Sequence, residues 1–380
     1  MAYEIDFIGV DSNKSSKDAD AICLRWKDGI PIFGPQLYKV GVVDGGFEAH
    51  GDAMIKHMNQ YYFDDVEGKK DSDEKVIDFM VITHPDQDHT IGLKKVLDYF
   101  NVQKIYMNRP WLYVDKLVDK VNDGRIKEGS LKRRLREKYK TIADLEDLAE
   151  EREIPIYEAF EGTYIEDKLL ILSPSRQFYL DLLVESEKTP LQESTEVQQN
   201  GMIGKITKRV KSFVLNLLET WDIETLREGE STSAENETSV VMRGNVNGSG
   251  FLLTGDAGIR ALNNAIDYLE AIGENVLSDV SFYQIPHHGG RHNVSPSLLN
   301  RMLGEKVKEG DTKNKVALAS VAQNSDHPLK MVTNAYIRRG VEPYKTNGGV
   351  VYHHVGDMPE RNWDALEQIE FADYVENWED

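Results

Sequence analysis

Cysteine is almost absent from this sequence: Cys23 is the single cysteine among 380 residues. An intramolecular disulfide and a zinc site built from several thiolates are therefore excluded. Any metal ion must be bound by histidines and carboxylates, and a chain with so little cysteine is typical of a reducing compartment.

The sequence also lacks a long apolar run and a basic leader in front of one. Its first ten residues, MAYEIDFIGV, contain no lysine or arginine. No segment reaches the roughly 20 apolar residues that a membrane span needs. We therefore expect no membrane association and a cytoplasmic location.

Positive charge is scarce, with 45 Lys and Arg against 65 Asp and Glu and a formal net charge of −20. This balance argues against broad electrostatic capture of nucleic acid. The basic residues nevertheless form two clusters, each able to grip a phosphate backbone and each equally typical of a solvated helix face. One comprises Lys132, Arg133, Arg134, Arg136, Lys138 and Lys140, and the other comprises Lys205, Lys208, Arg209 and Lys211.

Residues 76–100 predict a strand, a loop and a helix in succession. The apolar run at 76–83 has the length of a buried strand. From residue 93 onward, four apolar residues follow the i, i+3, i+4, i+7 spacing of a helix. They are Leu93, Val96, Leu97 and Phe100.

The loop between this strand and this helix holds four potential metal ligands within six residues, His84, Asp86, Asp88 and His89. Pro85 cannot continue a strand ladder and stiffens the turn, so the side chains around it can point into one cavity. The alternative is an ordinary turn in which Asp88 caps the following helix.

Polar residues follow other predicted strands in the same way. Asp44 ends the strand at 37–43, and Asp256 follows a hairpin of strands at 238–243 and 251–253. Each residue alone is a weak signal. Together they predict a common site at one edge of packed sheets. The remaining member is the stretch at 287–292, which contains His287, His288, Arg291 and His292.

Four motifs resemble those of the metallo-β-lactamase fold hydrolases: VVDGG at 42–46, THPDQDH at 83–89, LLTGDA at 252–257 and IPHHGG at 285–290. Within that superfamily, the sequence is most similar to the hydrolase domain of the DNA-internalisation competence protein ComEC, in which Asp also replaces the second loop histidine. The resemblance implies an α/β fold, an αββα sandwich, over residues 1–355. Helical insertions are expected at about 112–152 and 176–237, and an acidic C-terminal tail at 356–380.

The resemblance also implies a role for each matching residue. His84 and Asp86 would hold one metal ion, and Asp88 and His89 the other. Asp256 would bridge the two ions. His288 would complete the second site, while His287 would face the substrate and act in catalysis with Asp88 and Asp256, although the two histidines are interchangeable in this assignment. The residues expected to support the ligands or to contact substrate are Asp44, Asn108, Arg291, His292 and His327.

The sequence departs from the superfamily at one ligand. Most relatives supply a further histidine before the Gly-Asp motif, but no histidine occurs from residue 90 to residue 286. Asn108 is a weak substitute, so the first metal site is predicted to be poor in ligands. Because half of the six ligands are carboxylates, we expect two divalent ions, with Mn²⁺ favoured over Zn²⁺ or Mg²⁺.

A pair of such ions activates water and offsets charge on a phosphate. The resemblance therefore predicts a metal-dependent hydrolase, and more specifically a phosphodiesterase or nuclease acting on nucleic acid or nucleotides. Two alternatives stay open. One is a hydrolase of small nucleotides or other small esters. The other is a regulatory or binding subunit with a degenerate metal site, which would bind a protein partner through the insertions or the tail.

Overall fold

The computed structural model describes residues 2–29, 36–63, 75–121, 127–186, 189, 216–276 and 280–378. The second basic cluster, at 205–211, lies outside these ranges. Among the helices of the described residues, none has the length and apolar character needed to cross a membrane.

The first sheet has seven strands. Four of them pair in antiparallel fashion, and the parallel half begins at the strand Tyr38–Gly45. In spatial order the strands are Val350–Val355, Tyr3–Ile8, Ala21–Lys27, Tyr38–Gly45, Phe79–Val81, Ile105–Tyr106 and Ile156–Tyr157.

The second sheet also has seven strands and mirrors this arrangement, with one parallel and one antiparallel half. The predicted hairpin is present as the antiparallel pair Val241–Val246 and Ser249–Leu253. In spatial order the strands are Val341–Lys345, Lys315–Ala319, Val280–Gln284, Ser249–Leu253, Val241–Val246, Leu169–Ser173 and Tyr164–Ile165.

Apolar side chains occupy three layers around these sheets. The central layer joins both sheets and contains Phe7, Phe79, Phe251 and Phe282. One outer layer packs helices against the first sheet, and the other packs helices against the second. The predicted αββα sandwich is therefore confirmed.

The α-helices alternate with the strands in the parallel halves. Leu93, Val96 and Leu97 are fully buried on the helix Leu93–Tyr99, as their spacing predicts. The α-helices are Glu48–Met58, Gln87–Thr90, Leu93–Tyr99, Val114–Val121, Glu128–Lys138, Lys140–Glu151, Arg176–Glu185, Ala234–Glu237, Ile259–Ala271, Pro296–Leu303 and Lys330–Arg338. A π-helix spans Asn59–Phe63, and 3₁₀ turns span Pro110–Tyr113 and Pro286–Gly289.

The predicted strand at 76–83 is two short strands instead of one. Val76–Ile77 pairs with Asn101–Val102 in a separate two-stranded sheet, whereas Phe79–Val81 belongs to the first large sheet. Asp78 lies between them, and its carboxylate accepts hydrogen bonds from the Val40 backbone and from Lys39. This side chain ties the chain to the neighbouring strand where the ladder is interrupted.

The C-terminal residues from 356 to 378 pack on the sandwich. Tyr374–Val375 pairs with Leu217–Leu218 in a two-stranded sheet, and Arg361 is buried against the first sheet. The acidic tail of the sequence analysis is thus an ordered part of the described structure.

Candidate metal centre

The predicted ligand loop follows the strand Phe79–Val81 and enters the helix Gln87–Thr90. Asp86 is the residue before the helix, and its side chain makes no capping hydrogen bond. Asp88 and His89 lie inside the first helical turn, so Asp88 is not at the cap position. The helix therefore carries both side chains to the edge of the first sheet.

Four predicted ligands converge at this edge. Asp88, His89, Asp256 and His288 each offer one ligand atom, and these atoms lie within 4.8 Å of one another. Asp256 follows the strand Ser249–Leu253, and His288 follows Val280–Gln284 in the second sheet. Because the carboxyl ends of parallel strands meet at one sheet edge, both sheets deliver ligands to the same point.

The remaining two predicted ligands lie beside this cluster. His84 is buried, and its Nε2 atom is 3.7 Å from the Oδ2 atom of Asp256. Its ring centroid is 4.1 Å from that of His89. Asp86 is half-buried and lines a cleft outside the cluster.

The donor atoms fit a divalent cation. Within the described part of the chain, the Nε2 atoms of His84, His89 and His288 are buried without a hydrogen bond, as is Oδ1 of Asp256. Leaving such atoms unpaired costs about 1–3 kcal/mol each. Imidazole nitrogens and a carboxylate oxygen directed at one point are the ligands that transition metals and zinc accept.

Hydrogen bonds orient the two histidines of the HHG motif. The Nδ1 atom of His288 donates to the Ser320 carbonyl at 2.7 Å, which leaves Nε2 3.8 Å from Asp88. The Nδ1 atom of His287 donates to Asp256 at 2.5 Å. Both histidines have left-handed backbones, with φ of 47° and 58°. This strained turn buries the His288 ring and leaves the His287 side chain 34 % exposed.

Asp44 holds the ligand loop from beneath. Its Oδ2 atom accepts a hydrogen bond from Nδ1 of His89 at 2.7 Å, and its Oδ1 atom accepts from the Thr83 backbone at 2.9 Å. The Thr83 hydroxyl donates to Oδ2 at 2.5 Å. A carboxylate that takes the Nδ1 proton of a histidine directs its Nε2 lone pair to the metal position.

The charges of the cluster neutralise one another. Burial would lower the pKa of His288, but Asp88, Asp256 and Asp20 raise it to about 9. Burial would also lower the pKa of His89, which Asp256 and Asp44 raise well above its ordinary value. A cation bound here must therefore displace protons from two imidazoles.

Asp20 is a site residue that the sequence analysis missed. It is 1 % exposed, accepts a hydrogen bond from Gln284 at 2.9 Å, and has Oδ2 4.0 Å from Nδ1 of His89. Burial raises its pKa, the positive charges of His288 and His89 oppose this rise, and Asp256 adds to it. Asp20 precedes a strand, whereas every predicted residue follows one. Asp20 reaches the site because Ala21 pairs antiparallel with Gly45, which brings the start of one strand to the end of the other. Only the structure reveals this pairing.

The structure places the other predicted residues outside the cluster. The Asn108 amide makes two hydrogen bonds, both 3.0 Å long, with the backbone of Ala159. His292 bonds Glu230, His327 bonds Asp18, and Arg291 donates to the Asn377 carbonyl. These last three residues line a cleft next to His287.

Two clefts adjoin the centre. The larger, of about 1200 Å³, begins at His287. The smaller, of about 690 Å³, is lined by Asp88 and His288 together with Lys17, Lys138 and Lys140. The end of the first basic cluster therefore lies beside the ligands.

The chain is similar to known proteins over part of its length. The family model of the metallo-beta-lactamase superfamily matches residues 39–164, which include Asp44 and the loop at 84–89. A crystal structure of a beta-lactamase domain protein from Burkholderia ambifaria has 12 % sequence identity and a TM-score of 0.28, and the match covers 71 % of this chain and 62 % of that chain. No curated protein matches the sequence. Over residues 39–164 the chain is therefore similar to the metallo-beta-lactamase superfamily.

Proposed function

We propose that this protein is a metal-dependent phosphodiesterase that cleaves nucleic acid or nucleotides. The observation that carries the proposal is the convergence of Asp88, His89, Asp256 and His288 within 4.8 Å. The resemblance to the ComEC hydrolase domain supports a phosphodiester substrate within the wider superfamily.

The residues suggest how cations would be held. Asp88, His89, Asp256 and His288 would bind one ion. A second ion would have His84, Asp86 and a share of Asp256 as its ligands. Equal numbers of carboxylates and imidazoles favour Mn²⁺, with Zn²⁺ and Mg²⁺ as alternatives.

The chain would divide the work of hydrolysis among its residues. Divalent ions bound at the cluster would supply an acidified water and neutralise charge on the phosphate. Asp44 orients His89, and the Ser320 carbonyl orients His288. His287 lines the larger cleft and would donate a proton to the leaving oxygen.

Lysines near the ligands support a phosphate-containing substrate. Lys138 and Lys140 end the first basic cluster and line the smaller cleft with Lys17. Both Lys138 and Lys140 are exposed, and Lys140 pairs with Asp144 at 2.6 Å. They offer local positive charge in a chain whose net charge is −20.

The direct test is hydrolysis of a small phosphodiester, bis(p-nitrophenyl) phosphate, and of DNA, RNA and cyclic nucleotides with Mn²⁺, Zn²⁺ or Mg²⁺. We expect metal-dependent turnover that is lost in Asp256→Ala and His89→Ala, with the circular dichroism spectrum retained. Unchanged turnover in either variant would remove the site from the mechanism. Fewer than one bound ion per chain would instead favour a regulatory subunit with a degenerate site.

A pair of matched variants tests the lysines. The double variant Lys138→Gln, Lys140→Gln should weaken DNA binding and reduce its salt dependence. The double variant Lys132→Gln, Arg133→Gln is the control because it removes the same charge and both side chains are exposed but do not line the cleft. Equal loss in both variants would indicate a general charge effect and not a binding track.

A further inference from the structure

The larger cleft has a wall that comes from the end of the chain. Residues 356–378, called the C-terminal segment below, contribute Leu366, Glu367, Gln368, Ile369 and Glu376 to its lining. His287, which bonds Asp256, lies in the same lining, so the cleft reaches the edge of the metal centre. Its volume of about 1200 Å³ is slightly above the roughly 300–1,000 Å³ of ordinary small-molecule sites.

Buried contacts hold this segment in place on both sides of the wall. The Arg361 guanidinium bonds Asp6 and Glu4 at 2.6–2.8 Å, and all three side chains are at most 2 % exposed. On the other side, the Ala372 backbone exchanges two hydrogen bonds with the Asn334 amide. The wall is therefore a fixed part of the fold.

The Ile369 backbone adds a contact between these two anchors. Its N–H donates to the Pro343 carbonyl at 2.9 Å. Pro343 belongs to the edge strand Val341–Lys345 of the second sheet. The lining residues thus lie directly against the sheet that supplies Asp256 and His288.

The lining of the cleft carries charges of both signs, with Glu367 and Glu376 contributed by the C-terminal segment. The C-terminal segment has seven acidic side chains and one basic one, Arg361. Lys330 and Lys345 line the same cleft beside the segment, and the Lys330 backbone N–H donates to Glu376 at 3.0 Å. On the wall, Leu366 is 41 % exposed and Glu367 is also exposed. A single phosphate and an apolar ring fit this surface, but a continuing polyanion would meet the acidic wall.

We propose that the C-terminal segment restricts the His287 side of the metal centre to a short group, so that the substrate is a small phosphodiester or the free end of a strand. This inference rests on the proposed phosphodiesterase activity. The shared chemistry is a phosphodiester whose leaving portion is no larger than a terminal nucleotide or dinucleotide. Lys330 and Lys345 supply the charge that a terminal phosphate needs, and Leu366 supplies an apolar contact for a base.

The first test compares linear and circularised single-stranded oligonucleotides of one sequence, with a dinucleotide and bis(p-nitrophenyl) phosphate alongside. The full-length protein loaded with Mn²⁺ should cleave the small diesters and the linear strand, releasing mononucleotides or dinucleotides. The circular strand should be cleaved at least roughly tenfold more slowly than the linear strand. A circle has no free end to enter the cleft, so its phosphodiester is not held next to the metal centre. Equal rates for circle and linear strand would overturn the inference. Absence of cleavage of every diester would instead refute the proposed activity, and the inference with it.

The second test uses a charge reversal on the wall. Glu367→Lys should raise kcat/KM for the linear oligonucleotide by about threefold or more at low salt, relative to kcat/KM for the small diester. Glu370→Lys is the matched control because Glu370 is exposed on the same segment but does not line the cleft. Equal gains in the two variants, or no gain with Glu367→Lys, would contradict a role for the wall in substrate choice.

Discussion

Replacing Asp44 by Asn tests how the chain prepares its ligands. The substitution keeps the size of the side chain, and Asn tolerates the left-handed backbone found at Asp44, where φ is 54°. What changes is the hydrogen-bond chemistry. The carboxylate accepts from the Thr83 backbone, the Thr83 hydroxyl and Nδ1 of His89, and an amide has only one accepting atom.

The consequence reaches the metal position through the His89 ring. If the amide oxygen keeps the hydrogen bond from the Thr83 backbone N–H, the amide NH₂ group faces Nδ1 of His89. That nitrogen must then accept a hydrogen bond, so the ring proton moves to Nε2, the atom 3.3 Å from Asp256 Oδ1. A protonated Nε2 cannot bind a cation. Loss of an outer-shell carboxylate typically lowers metal affinity by about 10- to 100-fold, which corresponds to about 1.4–2.7 kcal/mol.

Isothermal titration of the metal-free protein with Mn²⁺ and Zn²⁺ measures this loss. Because Asp44 helps to raise the pKa of His89, removing it also weakens proton competition, so the difference in affinity should grow as pH increases. Asp78→Asn is the control, since Asp78 also bonds the backbone of the strand Tyr38–Gly45, but at its beginning. If Asp44→Asn and the natural protein bind Mn²⁺ and Zn²⁺ with equal affinity at every pH, the orienting role of Asp44 is refuted.

Three further predictions follow from the described contacts. Metal affinity should rise with pH up to about 9, because His288 carries a proton below its raised pKa and a cation must displace that proton. Calorimetry in buffers of different ionisation enthalpy should detect the released protons. Metal binding without proton release would contradict the assignment. Asp20→Asn should lower the pKa of His288 in the metal-free protein, as measured by NMR titration, because the Asp20 charge helps to raise it. Arg361→Met should reduce the free energy of unfolding in urea by about 3–5 kcal/mol, since Asp6 and Glu4 would stay buried without that partner, and a loss below about 1 kcal/mol would count against the cluster.

The family resemblance implied the layered fold, whereas the main cluster could be predicted from local patterns. Apolar runs followed by polar residues mark the carboxyl ends of parallel strands, and these ends share one edge in each sheet. Asp256 and His288 are recognisable for that reason, although 168 positions separate Asp256 from Asp88. The ligand roles beyond this meeting of side chains stay predictions.

Asp20 shows where such reasoning stops. Its environment depends on an antiparallel register, Ala21 opposite Gly45, that no local pattern reveals. A lone aspartate before a strand is typical of a turn, and only the pairing turns it into a buried carboxylate beneath two histidines. The same limit applies to Asp78, whose bond to Val40 divides a run that looks like one continuous strand.

The C-terminal segment illustrates a different limit, in which composition and structure disagree. Seven acidic residues in a short stretch predict a solvated tail, because charged side chains are rarely buried. One residue reverses that outcome. Arg361 lies over the rings of Tyr61, Tyr352 and Trp363 and pairs with two carboxylates from the first strand, some 355 positions away. The average charge of the segment does not reveal this pairing. The pairing nevertheless holds in place the segment whose Glu367 and Glu376 side chains line the cleft next to His287.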